Sequence, residues 1–188
     1  MTKFDPSKHH RRSIRLPEYD YSSPEAYFVT MFTQFRECLF GGINGDQMML
    51  SRYGLIAHDE LLKTAQLRPT ITIDKFVIMP DHIHAIITVR GGDEGTARRA
   101  LTGTPEGRGM TTEGFGRPVA GSIPTIVRSY KSAVAKRIND TRKTPGEPVW
   151  HRSYYEHVIR NEAEMRTIAD YIEANPSRWA EDEENVRK

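Results

Sequence analysis

The stretch Phe76-Val-Ile-Met-Pro-Asp-His-Ile-His-Ala-Ile-Ile-Thr-Val89 decides how this chain is read. On either side of Pro80-Asp81 it is apolar and rich in β-branched residues, which predicts two buried strands, Ile71–Met79 and His82–Val89. Successive side chains of a strand point to opposite faces, so His82 and His84 project together from one of them. Two polar rings buried side by side are costly unless something binds them, and a divalent cation is the obvious partner. The tripeptide alone also admits a plainer reading, with one core histidine satisfied by a neighbour and the other half-exposed. Asp81 is a candidate to orient an imidazole through its second nitrogen, although strand alternation predicts that it faces away. Pro80-Asp81 reads either as a very tight connection or as a kink or bulge in one long excursion.

Working outward, Tyr27-Phe-Val-Thr-Met-Phe-Thr33 has the composition of a strand, and Gly41 to Gly45 reads as a turn. Met49, Leu55, Ile56, Leu61 and Leu62 predict a helix from about Met48 to Ala65, with Gly54 against it and Arg68-Pro69 ending it. Ser122 is a plausible cap for a second helix with Pro124 in its first turn. Ile126, Val127, Tyr130, Val134 and Ile138 form its apolar stripe, and Arg128, Lys131, Lys136 and Arg137 its cationic side. Val149 to Ile159 reads as extended at least in part. Asn161 and Glu164 make a capping-box start to a last helix, with Met165, Ile168 and Ile172 on one stripe and Pro176 as its stop. Strands joined by hairpins and covered by helices predict an α+β fold: a ferredoxin-like sandwich with a central antiparallel sheet and helices on one face.

The length, 188 residues, suits one domain with its own core. Residues 1–25 read as a basic arm and 26–180 as the domain. The glycine- and arginine-rich stretch 91–121 has no hydrophobic period and reads as a flexible insertion, and 181–188 as an acidic tail. The single cysteine, Cys38, excludes an intramolecular disulfide framework and a cysteine-based zinc cluster; beside Leu39 it reads as a small core residue. The longest apolar runs are about half of what a bilayer crossing needs, so a soluble, intracellular protein without membrane partners is expected. The net charge of +2 conceals clustering. Basic residues gather at Lys8 to Arg12, in the insertion and from Arg128 to Lys143, while acids gather at the tail. Such patches suit a phosphate backbone, and equally an ordinary solvated surface.

Tyr171 and Asn175 lie four residues apart and share a face of the last helix. Tyrosine supplies an oxygen nucleophile of high intrinsic pKa that needs activation, and asparagine a neutral carbonyl ligand. With His82 and His84 they form a set that can hold a cation and polarise a phosphoryl oxygen while the phenolate attacks the phosphorus in line, giving a phosphotyrosine. The plainer alternative makes Tyr171 a rim aromatic and Asn175 a helix cap before Pro176. Tyr130 reads as core; Tyr154 and Tyr155 read as packing under the site or stacking on bases.

His10-Arg-Arg-Ser-Ile-Arg-Leu16, Tyr19-Asp-Tyr21, Tyr27-Phe-Val-Thr30, Met79-Pro-Asp-His-Ile-His84, Val149-Trp150, Tyr155-Glu-His-Val-Ile-Arg-Asn161 and Asp170-Tyr-Ile-Glu-Ala-Asn-Pro176 occur in this order. In this combination the chain resembles the REP-associated tyrosine transposases, relatives of the single-tyrosine HUH transposases of bacterial insertion sequences, over nearly its whole length. The resemblance implies an HUH nuclease fold, metal ligands at His82 and His84 and a nucleophile at Tyr171. It implies a third ligand at Asn175, where many relatives carry glutamine. The cofactor it implies is Mg²⁺ or Mn²⁺, although two imidazoles by themselves suit Mn²⁺ or Zn²⁺ better. It further implies metal-dependent nicking and rejoining of single-stranded DNA beside hairpins of repeated extragenic palindromes, through a 5′-phosphotyrosine and a free 3′-hydroxyl. That is the chemistry of DNA transposition and recombination. Arg11, Arg12 and Arg15, with Arg128, Lys131, Lys136 and Arg137, are the candidate DNA contacts. Location in the cytoplasm, on the nucleoid, follows from such a substrate. The resemblance leaves open a homodimer with the tyrosine helix supplied in trans, and a monomer. Two other functions stay in view: a palindrome-binding protein that does not cut, and a metal-dependent hydrolase of a small phosphodiester.

Overall fold

Alternation along two neighbouring strands sets the layers of the computed structural model, which describes residues 19–90 and 119–181. Arg11, Arg12 and Arg15, nearly all of the 91–121 insertion and the tail after residue 181 lie outside the described residues. In β1 (Ala26–Phe32), Tyr27, Val29 and Met31 face one side of the sheet and Phe28, Thr30 and Phe32 the other. In β5 (His82–Val89), Ile83, Ala85 and Ile87 join the first set, and His82, His84 and Ile86 the second. Both faces are covered, so β5 is buried almost residue by residue and reads as a nearly continuous apolar run rather than an alternating one.

Pro80-Asp81 is a true hairpin turn. Ile78 pairs with Ile83, and the Met79 N–H donates to the His82 carbonyl at 2.8 Å. β4 (Ile71–Ile78) is thereby tied antiparallel to β5, with a bulge between Ile73 and Lys75. The sheet runs β4-β5-β1-β6, antiparallel throughout, with β6 (Tyr155–Ile159) at one edge. α1 (Arg52–Gln66) connects β1 to β4, and α2 (Ile123–Arg142) connects β5 to β6. This β-α-β-β-α-β order with its antiparallel sheet is the ferredoxin-like arrangement. Ala57 and Leu61 of α1 and Ile123, Ile126, Val127, Tyr130, Val134 and Ile138 of α2 share one core with the Tyr27 side of the sheet. They form the expected helical layer. α3 (Glu162–Ala174) lies against the opposite face, where its Ile172 packs with Ile86 and Ile159, flanked by Phe28, Val77, Met165 and Ile168. The histidine side of the sheet is therefore the α3 side.

Each helix starts where its cap stands. Ser51 Oγ accepts from the N–H groups of Tyr53 and Gly54, both at 3.1 Å, Ser122 caps α2, and Asn161 Oδ1 accepts from Glu164 N at 2.9 Å. The glutamate reaches back to the Arg160 N–H at 2.7 Å. Between β1 and α1 the structure departs from expectation. Gly41–Asn44 is strand β2 rather than a turn, and Gln47–Leu50 is strand β3 rather than the start of a helix. The turn is Gly45-Asp46, with Gly45 at φ +59°. The Met48-Met49-Leu50 run carries no period of its own, and the hairpin with Ser51 settles it. Cys38 is exposed, not a core residue. Tyr19 and Tyr21, within the expected arm, pack their rings on Tyr27. No described helix is long and apolar enough to cross a membrane.

Gly54 counts against a helix by propensity, yet α1 requires it. A Cβ there would stand 2.2 Å from the Phe40 carbonyl oxygen, the same oxygen that accepts from Ser51 N at 2.8 Å. Alanine for glycine in an ordinary helix interior gains about 1 kcal/mol. Gly54→Ala is expected to do the opposite and lower the urea midpoint; an unchanged or raised midpoint would mean that the Phe40 carbonyl is free to move aside.

Candidate active site

The register of β5 against β1 sets His82 opposite Phe32 and His84 opposite Thr30. Both rings are enclosed, at 0% and 1% exposure. Their Nε2 atoms face each other at 3.0 Å. The remaining nitrogens are engaged as well: His82 Nδ1 lies 2.7 Å from Asp81 Oδ1, and His84 Nδ1 2.8 Å from Thr30 Oγ1. Asp81 does not face away as strand alternation suggested, because it belongs to the turn and not to the strand. Its other oxygen lies 3.1 Å from Arg36 Nε. A carboxylate beside a guanidinium accepts only, so His82 carries its proton on Nδ1 and leaves a lone pair on Nε2. The Thr30 hydroxyl serves as donor or acceptor, so the tautomer of His84 follows what lies at its Nε2. Burial above all holds His84 well below the usual histidine range and keeps it neutral.

α3 brings the phenol to this pair. Tyr171 Oη is 3.3 Å from His84 Nε2, and the tyrosine ring stands edge-on to His84 and to Phe28, with centroids 5.2 and 6.2 Å away. The phenol and the imidazoles come from one chain. One turn later Asn175 is 3% exposed, and its Oδ1 is buried with no hydrogen-bond partner. An orphaned buried carbonyl costs about 1–3 kcal/mol, a cost that a ligand accepting its lone pair would remove. Two imidazole lone pairs and one unsatisfied amide oxygen fit a borderline divalent cation with open positions. Among the described residues, no group of three or more His, Cys, Asp or Glu side chains could hold a metal ion, so the amide matters to any such site. Past α3, Trp179 stacks on His82 at 5.9 Å and closes that side.

The four α2 cations are not brought to the histidines, because α2 packs on the other face of the sheet. Arg137 braces α1 through Glu60 at 2.7 Å, and Lys136 pairs with Asp140 at 2.6 Å. Lys131 donates to the carbonyls of His151 and Ser153 at 2.6 and 3.2 Å, and burial draws its ammonium down to about 8. Arg128 is exposed. Tyr130 is core, with its hydroxyl donating to the Ala57 carbonyl at 3.0 Å. Tyr154 packs against the main core, while Tyr155, 53% exposed, sets its ring 5.9 Å from Phe32 at the rim of the site. Sequence reasoning missed Thr30, Arg36 and Trp179. Thr30 follows from strand register, whereas nothing local marks Arg36 or Trp179.

No protein-family model matches the chain. It belongs to the same family as an uncharacterized protein of Haemophilus influenzae, 35% identical over 182 residues that span 97% of each chain. In three dimensions it is similar to a REP-associated tyrosine transposase solved bound to a REP hairpin, with a TM-score of 0.55 and 19% identity over 83% of this chain and 68% of that one. A likeness at that identity establishes a shared fold; the chemistry has to be argued from the residues.

Enclosure of His84 has a consequence for stability. Once unfolded, the ring takes a proton near its ordinary value of about 6.5, whereas the folded ring stays neutral. The unfolded chain then binds more protons below that pH, and stability falls as pH drops toward the folded value. In metal-free buffer the urea midpoint is expected to decline between about pH 7.5 and about pH 5, and to decline less in His84→Gln. Equal slopes would show that His84 is not the group responsible.

Proposed function

We propose that this protein is a metal-dependent single-stranded DNA transesterase of the transposase type, which nicks and rejoins DNA beside hairpins through a phosphotyrosine on Tyr171. The observation that carries this reading is the phenol oxygen of Tyr171, 3.3 Å from an Nε2 of the buried histidine pair. The shared fold adds support, since the transposase with that fold was solved with a REP hairpin. Repeated extragenic palindromes are accordingly the proposed substrate, and the cytoplasm, on nucleoid DNA, the proposed place of action.

His82, His84 and Asn175 would hold the cation, Mg²⁺ or Mn²⁺, which when bound polarises a phosphoryl oxygen and offsets the developing charge. Tyr171 gives up its proton as its oxygen bonds to phosphorus in line with the leaving 3′-oxygen. The P–O3′ bond breaks, the 3′-oxygen takes a proton, and a 5′-phosphotyrosine remains. One phosphodiester replaces another, so a 3′-hydroxyl can reverse the step at little cost. The helix holds the phenol against Phe28 and His84, which limits the orientations it must lose before attack. Within one chain the histidines and the tyrosine lie close enough for the reaction to run in cis. Arg11, Arg12 and Arg15 are proposed to contact hairpin phosphates, with the exposed α2 cations Arg128 and Lys136 as further contacts.

A second reading, a palindrome-binding protein that does not cut, draws on the enclosure of His82 and His84 and the Trp179 ring over His82. A scissile phosphate enters only if α3 or Trp179 yields. A hairpin-bearing oligonucleotide incubated with Mn²⁺ separates the two. Wild type is expected to give a covalent adduct on a denaturing gel, and Tyr171→Phe none, with hairpin binding retained. His82→Ala is expected to abolish cleavage and spare binding. An adduct on the phenylalanine variant would overturn the nucleophile. Tight, salt-sensitive binding without scission under any metal would favour the second reading.

A further inference from the structure

Phe35 and Arg36 both adopt left-handed backbone conformations, at φ +55° and +58°. Two such residues in succession, neither of them glycine, are unfavourable and persist only where their surroundings impose them. Here the surroundings do. Thr33 N and Thr33 Oγ1 donate to the Asp81 carbonyl at 2.9 and 3.0 Å, and Gln34 N donates to the Val149 carbonyl at 2.9 Å. The strained turn is thus anchored to the β4–β5 hairpin at the residue before His82. Its result is to fold Arg36 back over the Phe32 ring, 4.0 Å from guanidinium carbon to centroid, with Nε 3.1 Å from Asp81 Oδ2. Asp81 Oδ1 then meets His82 Nδ1 at 2.7 Å. The side chain of Asp81 is fully buried, and that of Arg36 is largely covered.

We propose that Arg36 and Asp81 are positioning residues that lock His82 in its Nδ1–H tautomer, so that its Nε2 lone pair is presented beside His84 to a divalent cation. The cation rests on the function proposed above; the tautomer does not. A carboxylate only accepts, so His82 Nδ1–H donates into Asp81 Oδ1, while the guanidinium pairs its charge with Oδ2 and holds the group ionised. Nδ1 must carry a proton, so in the neutral ring the lone pair stands on Nε2, the nitrogen that faces His84. Partners of this kind orient ligating imidazoles and raise their basicity.

An amide at position 81 tests this logic, because it has one accepting and one donating end. In Asp81→Asn the guanidinium claims the carbonyl oxygen, the NH₂ turns to His82 Nδ1, and the imidazole proton is forced to Nε2. Imidazole ¹⁵N spectra of the metal-free protein near neutral pH read the tautomer, and a Mn²⁺ titration reads the affinity. Wild type is expected to show Nδ1–H at His82. Asp81→Asn is expected to show Nε2–H and to weaken Mn²⁺ binding by about 10–100-fold, with hairpin binding in the absence of metal unchanged as the check on folding. In the double variant Arg36→Met with Asp81→Asn, the amide is free to turn its oxygen back, and both the Nδ1–H signal and most of the Mn²⁺ affinity are expected to return. A loss that came merely from disturbed packing would deepen in the double variant. Nε2–H in wild type, an unchanged tautomer in Asp81→Asn, or a double variant no better than the single would each overturn the proposal. The expected tautomer switch with no Mn²⁺ binding by any variant would leave the relay standing and count against the nuclease reading instead.

Discussion

Two imidazole nitrogens held 3.0 Å apart, out of reach of water, set the terms for everything around them. Lone pairs at that separation repel unless a proton or a cation lies between them, and burial removes the water that would otherwise screen them. The neighbouring residues follow from this constraint. Asp81 and Thr30 take the two Nδ1 atoms, Tyr171 approaches one Nε2, and Trp179 covers the ring of the other. A strand with such a polar inner edge cannot pack against a purely apolar helix. α3 answers with a mixed face: Met165, Ile168 and Ile172 on the apolar part, Tyr171 and Asn175 on the polar part.

The two faces of the sheet are held with unequal strength. α1 and α2 share a large apolar core with the Tyr27 side, and Arg137 ties one helix to the other. On the histidine side the buried cluster is Ile86, Ile159 and Ile172, with partly exposed neighbours, and the polar contacts that tie α3 to the sheet, Lys75–Glu173 and His157–Glu164, lie at the surface. Exposed pairs of this kind are screened by solvent and hold a helix only weakly. The helix that carries the phenol is therefore the more weakly held of the three, and the enclosure of the histidines depends on it.

Charge is distributed along the same logic. Most of the α2 cations work within the fold, at the α1 boundary, along their own helix, or on the carbonyls of the 151–153 segment. A guanidinium that does reach the candidate chemistry is Arg36, which meets Asp81 from a short turn of no evident periodicity. A cationic helix stripe read from sequence says where charge is available. Only the packing says what it is spent on.

Elements whose pattern is enforced by burial were legible in the residues. β4, β5 and β1 follow from β-branched runs, α2 and α3 from their stripes and caps, and the sharing of one face by His82 and His84 from the pleat alone, because side-chain period is a local property of the chain. The β2–β3 hairpin was not, since three apolar residues in a row fit either period until a cap and a partner strand choose between them. Nor was the side of the sheet on which each helix lies, which depends on the handedness and length of connections and not on any residue within them. Asp81 shows the difference most sharply: its neighbour in sequence is a histidine, but the turn, not the strand, aims its carboxylate. Residue types and spacing determined which groups could do chemistry. The distances that join Arg36 to Asp81, Asp81 to His82 and His84 to Tyr171 were decided by tertiary structure, because the turn after β1, the β4–β5 hairpin and α3 meet only when both faces of the sheet are packed.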